Sequence, residues 1–261
     1  MRLRFIVLLL TTNCCFAQRG LQLEIMPGVA GYQGDLTQKT VPFNTIGPSA
    51  ALNIKYDFGD MVILRTGFAW GKVSAKDNDN KDAYLTNRNL SFETMIWEGH
   101  LGAEINILDP ETYYSLPYVF TGIALFHFDP YAFDNNNKKV YLQPLSTEGQ
   151  GLSEYPDRKK YSLTQFCIPF GGGWKFIIKE KCALSFELGF RFLFTDYLDD
   201  ASRTYVNQQV LLNKKGAQAV EFAFRGSPAS VEGKQRGNAE KNDMYGFAGV
   251  KFAMRLGKEK K

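Results

Sequence analysis

The chain has 261 residues, with 31 Lys and Arg set against 27 Asp and Glu; so even a balance implies no strong electrostatic partner, nucleic acid included. It is 44% hydrophobic, yet no stretch beyond residue 17 approaches the roughly 20 apolar residues of a transmembrane helix, which excludes a helical membrane protein. An aromatic content of 14% and 24 glycines suit an alternating β architecture, in which only every second residue must be apolar.

Residues 1–17 read as an export signal. Arg2 and Arg4 give a positive start, Phe5 to Leu10 an apolar core, and Cys15-Phe16-Ala17 a cleavage context before Gln18. Cleavage after Ala17 is favoured over acylation at Cys14 or Cys15, because Asn13 precedes Cys14 where a small residue is needed. The mature chain, 18–261, reads as one domain, and its net charge drops from +4 to +2 as Arg2 and Arg4 leave. Of the four cysteines, Cys167 and Cys182 remain. With a turn near Lys179 to Lys181 they stand on the order of 36 Å apart, too far for a disulfide, and both are expected as free thiols.

Eight long strands follow. The first, Leu21 to Tyr32, turns Leu23 and Ile25 outward and Glu24 inward; the second, Ile46 to Tyr56, turns Ala50, Leu52 and Ile54 outward and Asn53 and Lys55 inward. After a turn at Phe58-Gly59-Asp60, the third presents Val62, Leu64, Phe68 and Trp70 outward and Arg65, Gly67, Ala69 and Gly71 inward. The fourth, Ser91 to Ile107, sets Met95, Trp97, Leu101, Ala103 and Ile105 against Glu98, His100, Gly102 and Glu104. Its start is out of phase at Leu90 and Phe92, which calls for a bulge or for a strand that has already left the membrane. The fifth, Tyr118 to Phe128, is apolar on both faces, so its orientation stays open. The sixth, Leu163 to Ile178, opposes Phe166, Ile168, Phe170, Trp174 and Phe176 to Gln165, Cys167, Gly171, Gly173 and Lys175. The seventh, Cys182 to Thr195, is the clearest: Leu184, Phe186, Leu188, Phe190, Phe192 and Phe194 share one face, against Ser185, Glu187, Gly189 and Arg191. The eighth, Met244 to Leu256, turns Val250, Phe252 and Met254 outward and Lys251 and Arg255 inward.

The connections alternate in length. Phe58 to Asp60, Leu108 to Leu116 and Lys179 to Lys181 are short; Gln33 to Thr45, Ser74 to Arg88, Asp129 to Lys160 and Asp196 to Asp243 are long. That alternation, with Leu and Phe on the outer faces, predicts an all-β transmembrane antiparallel barrel of the outer membrane, with short periplasmic turns, long extracellular loops and both termini periplasmic. About eight strands are expected. Ten stay open, because Tyr205 to Leu212 and Ala219 to Phe224 in the last loop read as β-prone. A soluble sandwich would carry Lys, Glu and Thr on its polar faces; here glycines and small residues dominate them, as a narrow filled interior requires.

So narrow a barrel has no aqueous channel, and Glu24, Arg65, Glu98, Glu104, Glu187, Arg191, Lys251 and Arg255 are expected to neutralise one another inside it. No catalytic, cofactor or metal site is assigned. His100 and His127 are the only histidines and fall on different strands without metal-ligand spacing; no G-x-S-x-G occurs; Gly171-Gly172-Gly173 lies within a strand. Asp77-Asn78-Asp79-Asn80-Lys81-Asp82 resembles the start of an EF-hand loop but lacks its glycine at the sixth position and glutamate at the twelfth. Asp196, Asp199 and Asp200 form a second acidic cluster. Both clusters read better as solvated loop than as calcium sites. Lys234, Arg236 and Lys241 offer a basic stretch that suits lipopolysaccharide phosphates, though a charged loop in water needs no partner.

Five segments occur in order: Gly31-Tyr32-Gln33-Gly34-Asp35-Leu36, Arg88-Asn89-Leu90-Ser91-Phe92, Pro144-Leu145-Ser146-Thr147-Glu148-Gly149-Gln150-Gly151, Ile168-Pro169-Phe170-Gly171 and Thr195-Asp196-Tyr197-Leu198-Asp199-Asp200. As a set they resemble the PorG family of outer-membrane proteins of the type IX secretion system, over about residues 20 to 256. The resemblance implies a non-enzymatic barrel without a cofactor, tying the periplasmic ring of PorK and PorN to the outer membrane for export of secreted cargo. It carries over no catalytic residue. A small structural or adhesive barrel is the first alternative and a lipid-modifying barrel enzyme the second. For a ring anchor the contact must come from the periplasmic side. There Tyr113 and Tyr114, on the longest short turn, are the expected aromatic anchors, with Lys179 and Lys181 beside them and the basic tail contributing less.

Overall fold

The computed structural model describes residues 20–37, 45–59, 61–179, 181–226 and 231–256; the expected export signal and the tail Gly257 to Lys261 lie outside them. In chain order the strands are β1 (Leu21–Gln33), β2 (Ile46–Asp57), β3 (Val62–Lys76), β4 (Ser91–Asn106), β5 (Ser115–His127), β6 (Tyr131–Phe133), β7 (Lys139–Tyr141), β8 (Thr164–Lys179), β9 (Cys182–Leu193) and β10 (Met244–Leu256). Eight of them, all but the short β6–β7 hairpin, pair antiparallel with the next around a ring, which β1 closes against β10 and β3 against β4. Closure leaves none of the eight with an unpaired edge, the condition for crossing a bilayer with strands. Among the described residues no helix is long and apolar enough to cross a membrane. The fold is that of a small transmembrane β-barrel of the outer-membrane type.

Side-chain alternation sets which face goes where. On β9, Ser185, Glu187, Gly189 and Arg191 are buried while Phe186, Leu188, Phe190 and Phe192 are exposed. The same parity holds on β1, where Glu24 is buried between exposed Leu23 and Ile25, and on β2, where Lys55 is buried beside exposed Ile54. From Leu184 to Phe194 the apolar face runs about 33 Å along the strand. At a tilt near 40° this gives about 25 Å of height, the apolar band of an outer-membrane barrel. A soluble protein does not leave so continuous an apolar surface uncovered.

One end of the barrel carries the three short turns and the paired residues Leu21 and Leu256; the other carries the long loops. The lumen changes character between them. Its turn-end half is charged, whereas its loop-end half is a hydrocarbon core of Tyr32, Phe92, Ile96, Phe126, Phe128, Leu193, Tyr245 and Phe247. This division resolves two features of the sequence. β4 alternates without a bulge from Ser91, its register to β3 being unbroken from Lys76↔Ser91 to Val62↔Ile105. Phe92 therefore faces the lumen, and it is the polarity of the lumen that switches, not the phase of the strand. β5 is apolar on both faces: Ala124 and Phe126 join the hydrocarbon core, Tyr118 and Phe120 face the charged half as rings against Lys55 and Arg65, and Val119, Ile123 and Leu125 are exposed outward.

Two expectations are corrected. Tyr205 to Leu212 and Ala219 to Phe224 do not form strands; they contribute to α2 (Gln208–Lys215) and α3 (Ala217–Ala223). The Asn207 side chain accepts hydrogen bonds from the Gln209 and Val210 amides at 2.9 and 3.1 Å, an N-cap, and the good helix formers Gln, Leu, Lys and Ala outweigh the scattered Val and Phe. Leu211, Ala219 and Ala223 pack with Leu152 and Val206 as a satellite core. The added hairpin, β6–β7, arises instead between β5 and β8, turned by Asp134, whose carboxylate accepts from the Asn136 and Lys138 amides.

Candidate functional site

The charged half of the lumen is a closed network. Lys55 on β2 lies 2.5 Å from Glu24 on β1 and 2.7 Å from Glu104 on β4, and Lys175 on β8 lies 2.5 Å from Glu104. Arg65 grips Glu187 through two bonds of 2.9 and 3.1 Å. Lys251 bridges Glu24 at 2.8 Å and also meets Glu187. Higher up, Arg191 binds Glu98 through Nε and Nη2 at 2.8 and 2.9 Å, and the Tyr245 hydroxyl donates to Glu98 at 2.7 Å. Each charge thus meets its opposite on a neighbouring or facing strand, which ties the wall together across the barrel. Arg255 departs from the expected interior set: it reaches outward at the turn end to Asp57, 2.7 Å away. The cavity lined by Arg65, His100, Phe120 and Arg191 measures about 10 Å³, room for one water at most. His100 faces this lumen, 3.3 Å from Glu98, whereas His127 is exposed and bonds Thr164. The two histidines are not brought together.

The loop end is sealed by a polar cap that sequence reasoning misread. Asp77 is buried, held by Arg88 at 2.6 and 2.7 Å and accepting the Leu90 amide at 2.8 Å, and Asp82 N-caps α1 (Ala83–Arg88). Asp196, Asp199 and Asp200 are buried as well, so the second cluster is not solvated loop, whereas in the first Asn78, Asp79 and Lys81 are exposed as expected and only Asp77 is buried. Arg236, expected on a surface stretch, is buried between Glu148 at 3.0 Å and Asp200 at 3.4 Å; of the three basic residues, Lys234 and Lys241 are exposed. Glu148 also accepts the Ser202 and Arg203 amides, and Asp200 accepts from Thr147 and Tyr161 at 2.6 and 2.8 Å. The residues of four of the five recognisable segments therefore meet in this cap: Tyr32 donates to Asp199, Arg88 reaches the carbonyls of Asp35 and Arg236, and Glu148 joins Arg236 to the segment after β9. Their place beyond the strand ends is the place of the barrel's closure. Burial pushes Asp196 up to about 9 and Asp199 up to about 8, with Asp35 adding repulsion in both, and it raises Asp243 and Asp35 in the same direction.

The opposite end presents the expected docking residues. The turn 107–114 between β4 and β5 is held by Asp109, whose carboxylate accepts the Glu111 amide at 2.9 Å and the Thr112 hydroxyl at 3.1 Å, and whose carbonyl accepts the Tyr113 amide at 2.9 Å. On this rigid turn Tyr113 and Tyr114 are 50% and 77% exposed. The Tyr114 carbonyl accepts the Ile177 amide at 2.8 Å, which sets the turn beside the end of β8, two residues before Lys179. Lys181 is exposed in the next turn, and its carbonyl accepts the Arg255 amide. The structure thus gathers these four residues along one side of the rim. Phe58, 71% exposed on the β2–β3 turn, is a further aromatic at the same end; its setting before Gly59 in a tight turn is the sequence signal for it.

A family model described as a domain of unknown function, DUF6089, matches residues 1–214, and the chain belongs to that family. No curated protein matches it. Among solved structures it is similar to Neisserial surface protein A (NspA), at 9% identity and a TM-score of 0.48 over 91% of this chain and 97% of that one. It is also similar to the outer membrane protein OprG of Pseudomonas aeruginosa, at 10% identity and a TM-score of 0.43 over 92% and 98%. The attachment invasion locus protein Ail of Yersinia pestis, solved with a heparin analogue, gives 7% identity and a TM-score of 0.42 over 91% and 99%.

Proposed function

We propose that this DUF6089 barrel is a non-enzymatic outer-membrane component of the type IX secretion machinery that anchors the periplasmic PorK and PorN ring. In this reading the turn end and both termini face the periplasm, and the loop end faces outward, where Lys234 and Lys241 meet lipopolysaccharide. The observation that carries the docking assignment is the turn 107–114, a braced loop that holds two tyrosines out from the barrel end rather than folding them into its wall. Rigid, exposed aromatic pairs of this kind supply the anchors on which protein interfaces depend. The resemblance of the five ordered segments to the PorG family names the partner.

The sealed cap removes an objection to this assignment. Segments shared with a ring anchor but lying at the far end from the ring need a role there, and closing the mouth is that role. Affinity capture of a tagged chain from detergent-solubilised membranes tests the proposal: PorK and PorN are expected to co-purify. Capture of the intact barrel without ring proteins would favour a free-standing structural or adhesive barrel.

A further inference from the structure

Among the described residues the cap contains more buried acid than buried base. Of its two buried guanidiniums, Arg88 is taken by Asp77, and Arg236 is shared by Glu148 and Asp200. The buried Asp196, Asp199 and Asp243 and the half-buried Asp35 have no such partner among the described residues. They come from three segments, after β1, after β9 and before β10, and they converge: the Tyr32 hydroxyl donates to Asp199 and lies 3.4 Å from Asp243. Three of them are tethered through backbone amides, Asp35 by Asn238, Asp199 by Ala201 and Asp243 by Leu198. Asp196 is not tethered. It is 6% exposed, both its carboxylate oxygens lack a hydrogen-bond partner, with Ser202 close by but out of bonding geometry, and the charges acting on it most strongly are Asp35 and Asp199. Without a donor, burial keeps Asp196 neutral; ionised together, these acids are costly to bury unless something positive stands between them.

We propose that Asp35, Asp196, Asp199 and Asp243 bind one divalent cation of the calcium class, which pins the three loop segments together over the mouth of the barrel. The donors are hard oxygens, with no imidazole or thiolate among them, which selects calcium over zinc or copper. Carboxylates on separate flexible segments suit the loose coordination of calcium better than the strict octahedron of magnesium. As the side chains stand, no three acids of the described residues already surround one point at bonding distance; Asp196 is the one that can reorient without breaking a hydrogen bond. The site lies at the opposite end from the docking turn, so it stands or falls independently of the ring-anchor proposal.

The test uses the full mature chain refolded in detergent, stripped with EDTA and titrated with calcium chloride by calorimetry. One calcium per barrel is expected, and Asp196→Asn should lower its affinity about tenfold or more, with Asp109→Asn on the opposite rim unchanged. Thermal unfolding supplies a second readout that a merely structural acid would not move. In EDTA at neutral pH, Asp196→Asn should unfold near the parent's temperature because it replaces a carboxyl that burial already keeps neutral, and in calcium at a lower one because it removes a ligand. No calcium uptake by the parent chain, or the same difference between variant and parent in EDTA and in calcium, would overturn the proposal.

Discussion

At the scale of single residues the barrel depends on complete pairing in its lumen and complete apolarity outside it. Glu98 receives two of the three Arg191 guanidinium nitrogens and the Tyr245 hydroxyl, so Glu98→Ala strands a buried guanidinium and should cost about 3 to 5 kcal/mol in a urea refolding assay. The inward glycines answer to space. A Cβ on Gly171 would lie 2.3 Å from the Leu188 carbonyl oxygen and 2.6 Å from the Gly189 Cα, backbone that cannot give way, whereas one on Gly189 would meet the edge of the Phe120 ring at 2.6 Å. Both alanine variants are overpacked, by about 1 to 3 kcal/mol, and Gly171→Ala should be the worse of the two; equal stability would mean that the wall breathes. On the outer face, Phe190→Arg should cost about 2 to 4 kcal/mol near the bilayer midplane, and a variant as stable as the parent in lipid would place that residue outside the membrane.

At the scale of elements, the turn 107–114 is built to display rather than to bury. Because Tyr113 and Tyr114 contribute little to the wall, Tyr113→Ala with Tyr114→Ala should leave the heat-dependent gel mobility of a folded barrel unchanged while reducing ring co-purification and cargo export. Loss of the mobility shift would instead make the pair structural. The strands were legible in the sequence because one period, two, governs every wall residue, and β9 displays it almost without exception. The helices α2 and α3 were not, since Tyr205, Val210 and Phe222 suggested strand while the decisive signals were a capping Asn207 and a Lys-Lys-Gly stop at Lys214 to Gly216. The cap was the least legible part. Asp77, Asp196, Asp199, Asp200 and Arg236 look solvated in loops whose composition is polar, and it is contacts between separate segments, such as Tyr32 with Asp199 and Arg88 with Arg236, that enclose them.

At the scale of the molecule, a belt of Leu, Ile and Phe around a lumen that is ionic at one end and hydrocarbon at the other describes a closed post through a membrane rather than a pore. Its two ends are chemically different: the loop end folds its polar groups inward against one another, while the turn end holds aromatic rings out. A post of this kind couples the membrane to whatever binds the turn end, and that coupling is the central claim. Photo-crosslinking in cells, with a crosslinking amino acid placed in turn at Tyr114 on the turn end and at Lys234 on the loop end, tests it most directly. Crosslinks to PorK or PorN from position 114 and none from position 234 are the expected result. Crosslinks to the ring from position 234 alone would show that the barrel is inverted, and none from either position would show that it does not anchor the ring.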